Sequence, residues 1–197
     1  MHKIGSSEMS ARRNEIGRAV RNNQYEETDT GIFLPRSGVF IGGAFEVEVN
    51  GKDRSIEPNI VTNAGMNHLL GCLRSGFSAI TTWYVSPFSG NVTPVVTQVA
   101  ASWPTDVTEF TAYTSATRVE WASDAVASQA IANDAVRASF TINGGGGTVW
   151  GAGITSSNVK SPGTAGTLFA YSKFSAARVL ILDDVLTIKY TISATST

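Results

Sequence analysis

A chain of 197 residues is long enough for one ordinary hydrophobic core, and a formal net charge of −1 excludes overall attraction to nucleic acid or an acidic membrane. Hydrophobic residues make up 42% and charged residues only 16%, so solubility rests on Ser and Thr hydroxyls more than on ions, a pattern unlike that of a typical metabolic protein. The single cysteine, Cys72, excludes an intramolecular disulfide framework and lies in an apolar run, where a small buried hydrophobe is expected.

Residues 1–30 read as an N-terminal arm and residues 31–197 as one domain. Lys3, Arg12, Arg13, Arg18 and Arg21 make the beginning basic, and Glu26, Glu27 and Asp29 follow as an acidic cluster. Large apolar side chains are too sparse for the arm to fold alone. A thin stripe of Met9, Ile16 and Val20 allows a short helix over residues 8–20. The arm is either a solvated terminus or a segment ordered on a neighbour. MHKIGSSEMSARR contains no apolar stretch of signal-peptide length, and no segment approaches the length of a bilayer span. That predicts synthesis in the cytoplasm without a standard export signal and no membrane partner.

From Gly31 onward the pattern is that of short strands. Phe45, Val47 and Val49 alternate with Glu46 and Glu48, the period of two that a half-buried strand requires. Asn50-Gly51 is a strong turn dipeptide, so residues 44–61 read as a hairpin. NAGMNHLLGCLRSG then predicts a helix with Asn63 as N-cap and Gly76 as terminator. Met66, Leu69, Leu70 and Leu73 would form an apolar face over one end of the sandwich. His68, beside that face, is expected at the surface or hydrogen-bonded.

Residues 79–88 form an aromatic strand, and the segment 89–105 reads as a long irregular connection. Further strands are expected over 107–113, 117–122, 135–142, 147–155, 166–171, 176–182 and 185–193. Within the last, Leu186, Ile188, Tyr190 and Ile192 share one face, and Asp183-Asp184 before it reads as a hairpin turn. The Ala-rich span 124–138 stays open between helix and strand. One helix, many short strands and turn-rich connections predict an all-β fold, an antiparallel β-sandwich of jelly-roll type with an extended N-terminal arm.

Nothing in the sequence assembles a catalytic set or calls for a cofactor. The histidines are His2 and His68, and no metal-ligand spacing occurs. Gly144, Gly145, Gly146 and Gly147 lack the lysine and following helix of a phosphate-binding loop and read as a bulged hairpin connection, open to close approach by a neighbour. Trp83, Tyr84, Trp103, Tyr113, Trp121, Trp150 and Tyr171 lie on or beside strands. Most belong to the core, and the others would anchor an interface or a shallow sugar platform.

The run IEPNIVTNAGMNHLL, then ITTWYVSPF, FTINGGGGTVWGAGI and FSAARVLILDDVLTIKYTIS, resembles a group of small structural proteins of tailed bacteriophages. The matching positions are Asn63, Gly65, Asn67, Leu69 and Leu70, then Trp83 and Tyr84, then Asp184, Leu186 and Tyr190. In size and expected fold the chain is similar to jelly-roll capsid cement proteins. The resemblance implies a non-enzymatic decoration protein on the virion exterior, bound to the major capsid protein and to copies of itself. Arg12, Arg13, Arg18 and Arg21 are then the expected neighbour contacts, with Gly144–Gly147, Trp103 and the rest of segment 89–105 as loop candidates. A tail, collar or baseplate subunit and a carbohydrate-binding adsorption module are the alternatives.

Overall fold

The computed structural model describes residues 25–27, 33–35 and 39–196. The chain divides into two compact units, Met1–Phe40 with Ala194–Thr197, and Ile41–Ser193. In the first unit β1 (Tyr25–Glu27) pairs antiparallel with β2 (Phe33–Pro35). Residues 1–24, which include Arg12, Arg13, Arg18 and Arg21, lie outside the described residues.

The second unit is built on two antiparallel sheets. One has the order β4 (Lys52–Pro58), β3 (Val39–Val49), β12 (Val185–Ser196) and β8 (Ala130–Ala132), with β9 (Ala138–Thr141) also paired to β12. The other has the order β5 (Ile60–Val61), β11 (Leu168–Leu180), β10 (Gly147–Thr155), β6 (Tyr84–Phe88) and β7 (Val119–Glu120). The fold is an all-β sandwich. The sequence neighbours β3–β4, β6–β7 and β10–β11 each pair within one sheet, so the agreement with expectation extends to the two-sheet sandwich and not to a jelly-roll winding.

The core lies between the sheets. Phe45 and Val47 on β3, Phe140 on β9, and Leu186, Ile188 and Tyr190 on β12 meet Val85 on β6, Val149 and Ile154 on β10, and Phe169, Phe174 and Leu180 on β11. Period-two alternation drives this arrangement, because every second side chain of a strand reaches the same face. The hairpin expected over residues 44–61 forms over residues 44–58, with Asn50 and Gly51 both at positive φ, the turn whose twist matches that of paired strands, while Ile60 and Val61 leave it to pair with β11 in the other sheet. β11 joins the two segments expected at 166–171 and 176–182 into one strand over Leu168–Leu180. The expected strand 107–113 is instead a segment with two isolated bridges, Phe88 to Glu109 and Tyr113 to Ile142.

The Ala-rich span resolves in favour of turn and strand. Ile131 pairs with Ile192 on β12, Asn133 Oδ1 accepts from Tyr190 N at 2.8 Å, and Asp124 Oδ2 accepts from Asp134 N at 2.7 Å. These side-chain bonds to backbone offer the chain an alternative to helix.

The sheet of β5, β11, β10, β6 and β7 carries a second core on its outer face, where Phe88, Ala100, Trp103, Val107, Leu168 and Tyr171 are buried together. A one-turn helix, α2 (Trp103–Asp106), delivers Trp103 to this site. Its ring lies against Gly153 on β10, where a Cβ would overlap it, and stands edge-on to Phe88 and Tyr171 at centroid distances of 5.4 and 5.3 Å. Trp103 was expected as a neighbour contact. The structure places it in the chain's own second core, 1% exposed.

A buried polar network closes the crossing segment. Arg118 Nε and Nη2 donate to the two oxygens of Glu109 at 2.7 and 2.8 Å, with both side chains almost fully buried. Arg118 also donates to the carbonyls of Ser157 and Gly163. Ser86 Oγ donates to Glu109 at 3.0 Å and accepts from Trp103 Nε1 at 2.9 Å. Removing one partner leaves the other charged and buried, so Arg118→Ala should lower the unfolding free energy by roughly 3–5 kcal/mol. Arg54→Ala, which removes an exposed partner of Glu46, should cost under about 1 kcal/mol. Urea unfolding of both variants checks this, and equal costs would show that burial does not set the strength of the Arg118 pair.

Candidate functional site

A surface that meets a partner must first be free of the chain's own contacts, and both sheet faces fail this condition. The outer face of the β11–β10–β6 sheet is covered by the segment containing Trp103. The other outer face is occupied by charges that neutralise one another. Glu46 accepts from Arg54 and Arg137, and Asp134 pairs with Arg137 and Lys189. Burial opposes the charge of Glu46, but the hydrogen bonds and charges of the two arginines outweigh it and hold its carboxyl below the ordinary range. Exposed apolar side chains are spread over several parts of this unit, including Ile56 on β4, Val95, Val96 and Val99 in the segment before Trp103, and Val179, Ile181 and Leu182 at the end of β11.

One such surface is the sandwich tip, where two connections meet beside the Asn50-Gly51 turn. Residues 142–146 link β9 to β10, and residues 181–184 link β11 to β12. Each pair of strands belongs to different sheets, so neither the glycine run nor Asp183-Asp184 is the hairpin expected. Both are crossings between layers. Asp184 fixes the second crossing by accepting from Ile181 N and Asn50 Nδ2 at 2.8 and 2.7 Å. These bonds hold its carboxyl below the ordinary range. Asn50 Oδ1 in turn accepts from Val185 N at 2.8 Å. Leu180 points into the core, while Val179, Ile181 and Leu182 beside it are 74%, 66% and 57% exposed.

The glycine run lies alongside. Gly146 approaches the Leu180 carbonyl so closely that a Cβ would overlap it, whereas Gly144 and Gly145 face open space. The tip is thus an aliphatic surface on a hydrogen-bonded base. The glycine loop was expected from the sequence as a contact candidate. Val179, Ile181 and Leu182 were missed, although an unbroken apolar run, VLIL, wider than one strand face needs was the available signal.

The second feature is a cavity of about 190 Å³ between the sheets, walled by Trp83, Trp121, Ile154, Phe169 and Tyr190 together with His68 and Leu69 of α1 (Asn63–Gly71). Thr62 is the N-cap of that helix, its hydroxyl accepting from Gly65 N at 3.0 Å, in place of the expected Asn63. The facing also differs from expectation. Gly65 lies directly on the Phe169 carbonyl, so the backbone itself approaches β11 and turns the face of Gly65, His68 and Leu69 inward. Leu70 and Leu73, expected against the core, are exposed. Cys72, expected to be buried, is exposed too, and its Sγ lies 3.7 Å from His68 Nε2.

His68 is the buried residue that the leucine pattern concealed. Phe77 and Trp83 stand 5.3 and 5.2 Å from its ring, and burial lowers its pKa from the ordinary 6.5. Burial therefore favours the neutral imidazole over the imidazolium. Of the seven aromatics singled out in the sequence, Trp103, Tyr113, Trp121 and Tyr171 are buried and Trp83, Tyr84 and Trp150 half-buried, so none stands out as a sugar platform. Among the described residues no three His, Cys, Asp or Glu side chains gather as a metal site, and no helix is long and apolar enough to cross a membrane.

A histidine with a depressed folded pKa contributes stability that is complete above the unfolded value and is lost as pH falls through the folded one. Stability should therefore decline as pH drops below 6.5, well before the carboxylates titrate. His68→Phe should flatten that part of the profile, as read by thermal unfolding across pH. An unaltered slope would assign it to another group.

Comparison with protein-family models and with curated proteins finds no match, so the functional reading stands on the geometry of the tip and on the sequence motifs.

Proposed function

We propose that this chain is a non-enzymatic phage virion structural protein, a capsid cement or decoration protein that binds the major capsid protein and bridges neighbouring capsomers. The observation that carries the reading is the tip. Val179, Ile181 and Leu182 are exposed together next to an open glycine loop, and clustered aliphatic exposure beside a polar surround marks a protein contact. The bacteriophage-like motifs over residues 56–193 support the same reading, as does a rigid sandwich that presents its ends. Many symmetry-related copies add avidity to contacts that are individually modest. The basic arm residues Arg12, Arg13, Arg18 and Arg21 extend the contact to an acidic neighbouring surface.

The test is co-sedimentation of the purified chain with shells assembled from its cognate major capsid protein. The wild-type chain should saturate the shell surface. Ile181→Asp with Leu182→Asp should weaken binding by about tenfold or more, because charges would be desolvated at an apolar contact, while the melting temperature stays near that of the wild type. Binding unaffected by the double change would remove the tip from the interface. Failure to bind shells, with density confined to the tail in electron cryomicroscopy of virions, would replace cement with a tail, collar or baseplate role.

A further inference from the structure

The sequence contains two Asn-Gly dipeptides, Asn50-Gly51 and Asn143-Gly144, and the fold treats them in opposite ways. In such a pair the asparagine amide carbon lies within reach of the next backbone nitrogen, and glycine has no Cβ to obstruct the approach. At Asn50 the side chain is tied at both ends, Nδ2 donating to Asp184 Oδ1 at 2.7 Å and Oδ1 accepting from Val185 N at 2.8 Å. Its Cγ cannot swing towards Gly51 N unless both bonds break.

At Asn143 the backbone is anchored and the side chain is not. The Asn143 N–H donates to the Ala112 carbonyl at 3.1 Å, and the Asn143 carbonyl accepts from Gly146 N at 3.3 Å. Among the described residues no hydrogen bond reaches the Asn143 side chain, which is exposed. Gly144 has a φ of +60° and open space where a Cβ would stand.

We propose that Asn143 is a site of spontaneous deamidation and that the Asn50–Asp184 lock protects the second Asn-Gly pair from the same fate. The Gly144 amide nitrogen loses its proton to solvent base and attacks Asn143 Cγ. The Cγ–Nδ2 bond breaks, ammonia leaves and a succinimide ring closes. Water then adds at either ring carbonyl, giving aspartate or, with the main chain rerouted through the side-chain carbonyl, isoaspartate. Each event places a carboxylate beside the aliphatic tip, and isoaspartate also lengthens the main chain of the 142–146 crossing by one carbon. The chemistry depends on the fold alone and is independent of the virion reading.

Incubation of the folded chain in mildly alkaline buffer, followed by tryptic mapping and fragment mass spectrometry, tests this directly. The peptide of residues 138–160 should gain one mass unit at Asn143. Asn50, in the peptide of residues 37–52, should convert at least about tenfold more slowly, because two hydrogen bonds must open first. In the urea-unfolded chain the two rates should converge, and Asp184→Ala in the folded chain should raise the rate at Asn50. Equal rates in the folded chain, or an Asn143 that stays intact while the unfolded chain converts, would overturn the proposal. An unchanged Asn50 rate in Asp184→Ala would overturn the protective lock.

Discussion

The ion pair of Arg118 and Glu109 is the constraint on which the arrangement of this molecule depends. Two buried charges are tolerated only when their remaining hydrogen-bonding capacity is also met. Arg118 meets it through the carbonyls of Ser157 and Gly163, and Glu109 through Ser86. The pair therefore specifies where three separate pieces of chain must lie: the strand β6, the crossing segment that precedes Arg118, and the connection between β10 and β11. A slip of any one would strand a charge in the interior. Apolar packing alone would hold these pieces with similar strength but less uniquely, since methyl groups accept many neighbours and a bidentate carboxylate accepts few.

That constraint explains why one sheet is covered on both faces. The crossing segment, pinned by Arg118, lays Trp103 and Val107 over β6, β10 and β11, and Ser86 lets the indole N–H keep a partner after burial. The small residues of β10 make room for it. Gly151 and Gly153 alternate with Ala152 and Ile154, so one face of that strand feeds the inner core while the other leaves hollows for Phe88 and Trp103. The outer face of the other sheet is filled differently, by charges that satisfy one another. With both broad faces largely occupied, the tip carrying Val179, Ile181 and Leu182 is one of the places where apolar side chains meet solvent.

Much of the sandwich was legible because a strand repeats with a period of two and the core demands it. Phe45 and Val47, and Leu186, Ile188 and Tyr190, are buried as their spacing predicts. Long-range choices were not legible. Gly144–Gly147 and Asp183-Asp184 have the composition of hairpin turns, and nothing local distinguishes a turn within a sheet from one that crosses to the opposite layer. The helix misled for a different reason. Its leucines mark one stripe, but Gly65 allows the backbone to touch β11, and close approach outweighs the burial of Leu70 and Leu73. Trp103 has the look of a loop anchor because its pocket is made by Phe88, Gly153 and Tyr171, residues distant in sequence. The exposed aliphatics of the tip were hidden within a run that scans as ordinary strand.

The tip combines two properties that are usually in conflict. Its aliphatic side chains need a partner to leave water, yet the backbone that carries them is already fixed. Asp184, Asn50 and Val185 form a closed set of hydrogen bonds beneath Ile181 and Leu182, and Ile142 N donates to the Asp184 carbonyl from the adjacent crossing. Ordering a mobile loop on binding costs free energy for each residue immobilised. Here that cost is met when the chain folds, so a partner meeting the tip gains the burial of Val179, Ile181 and Leu182 with little left to order. Gly144 and Gly145, in the adjacent crossing, have open space where a Cβ would stand. A fixed apolar surface would favour a partner of matching shape over indiscriminate adhesion, because burial is gained only where the two surfaces fit closely.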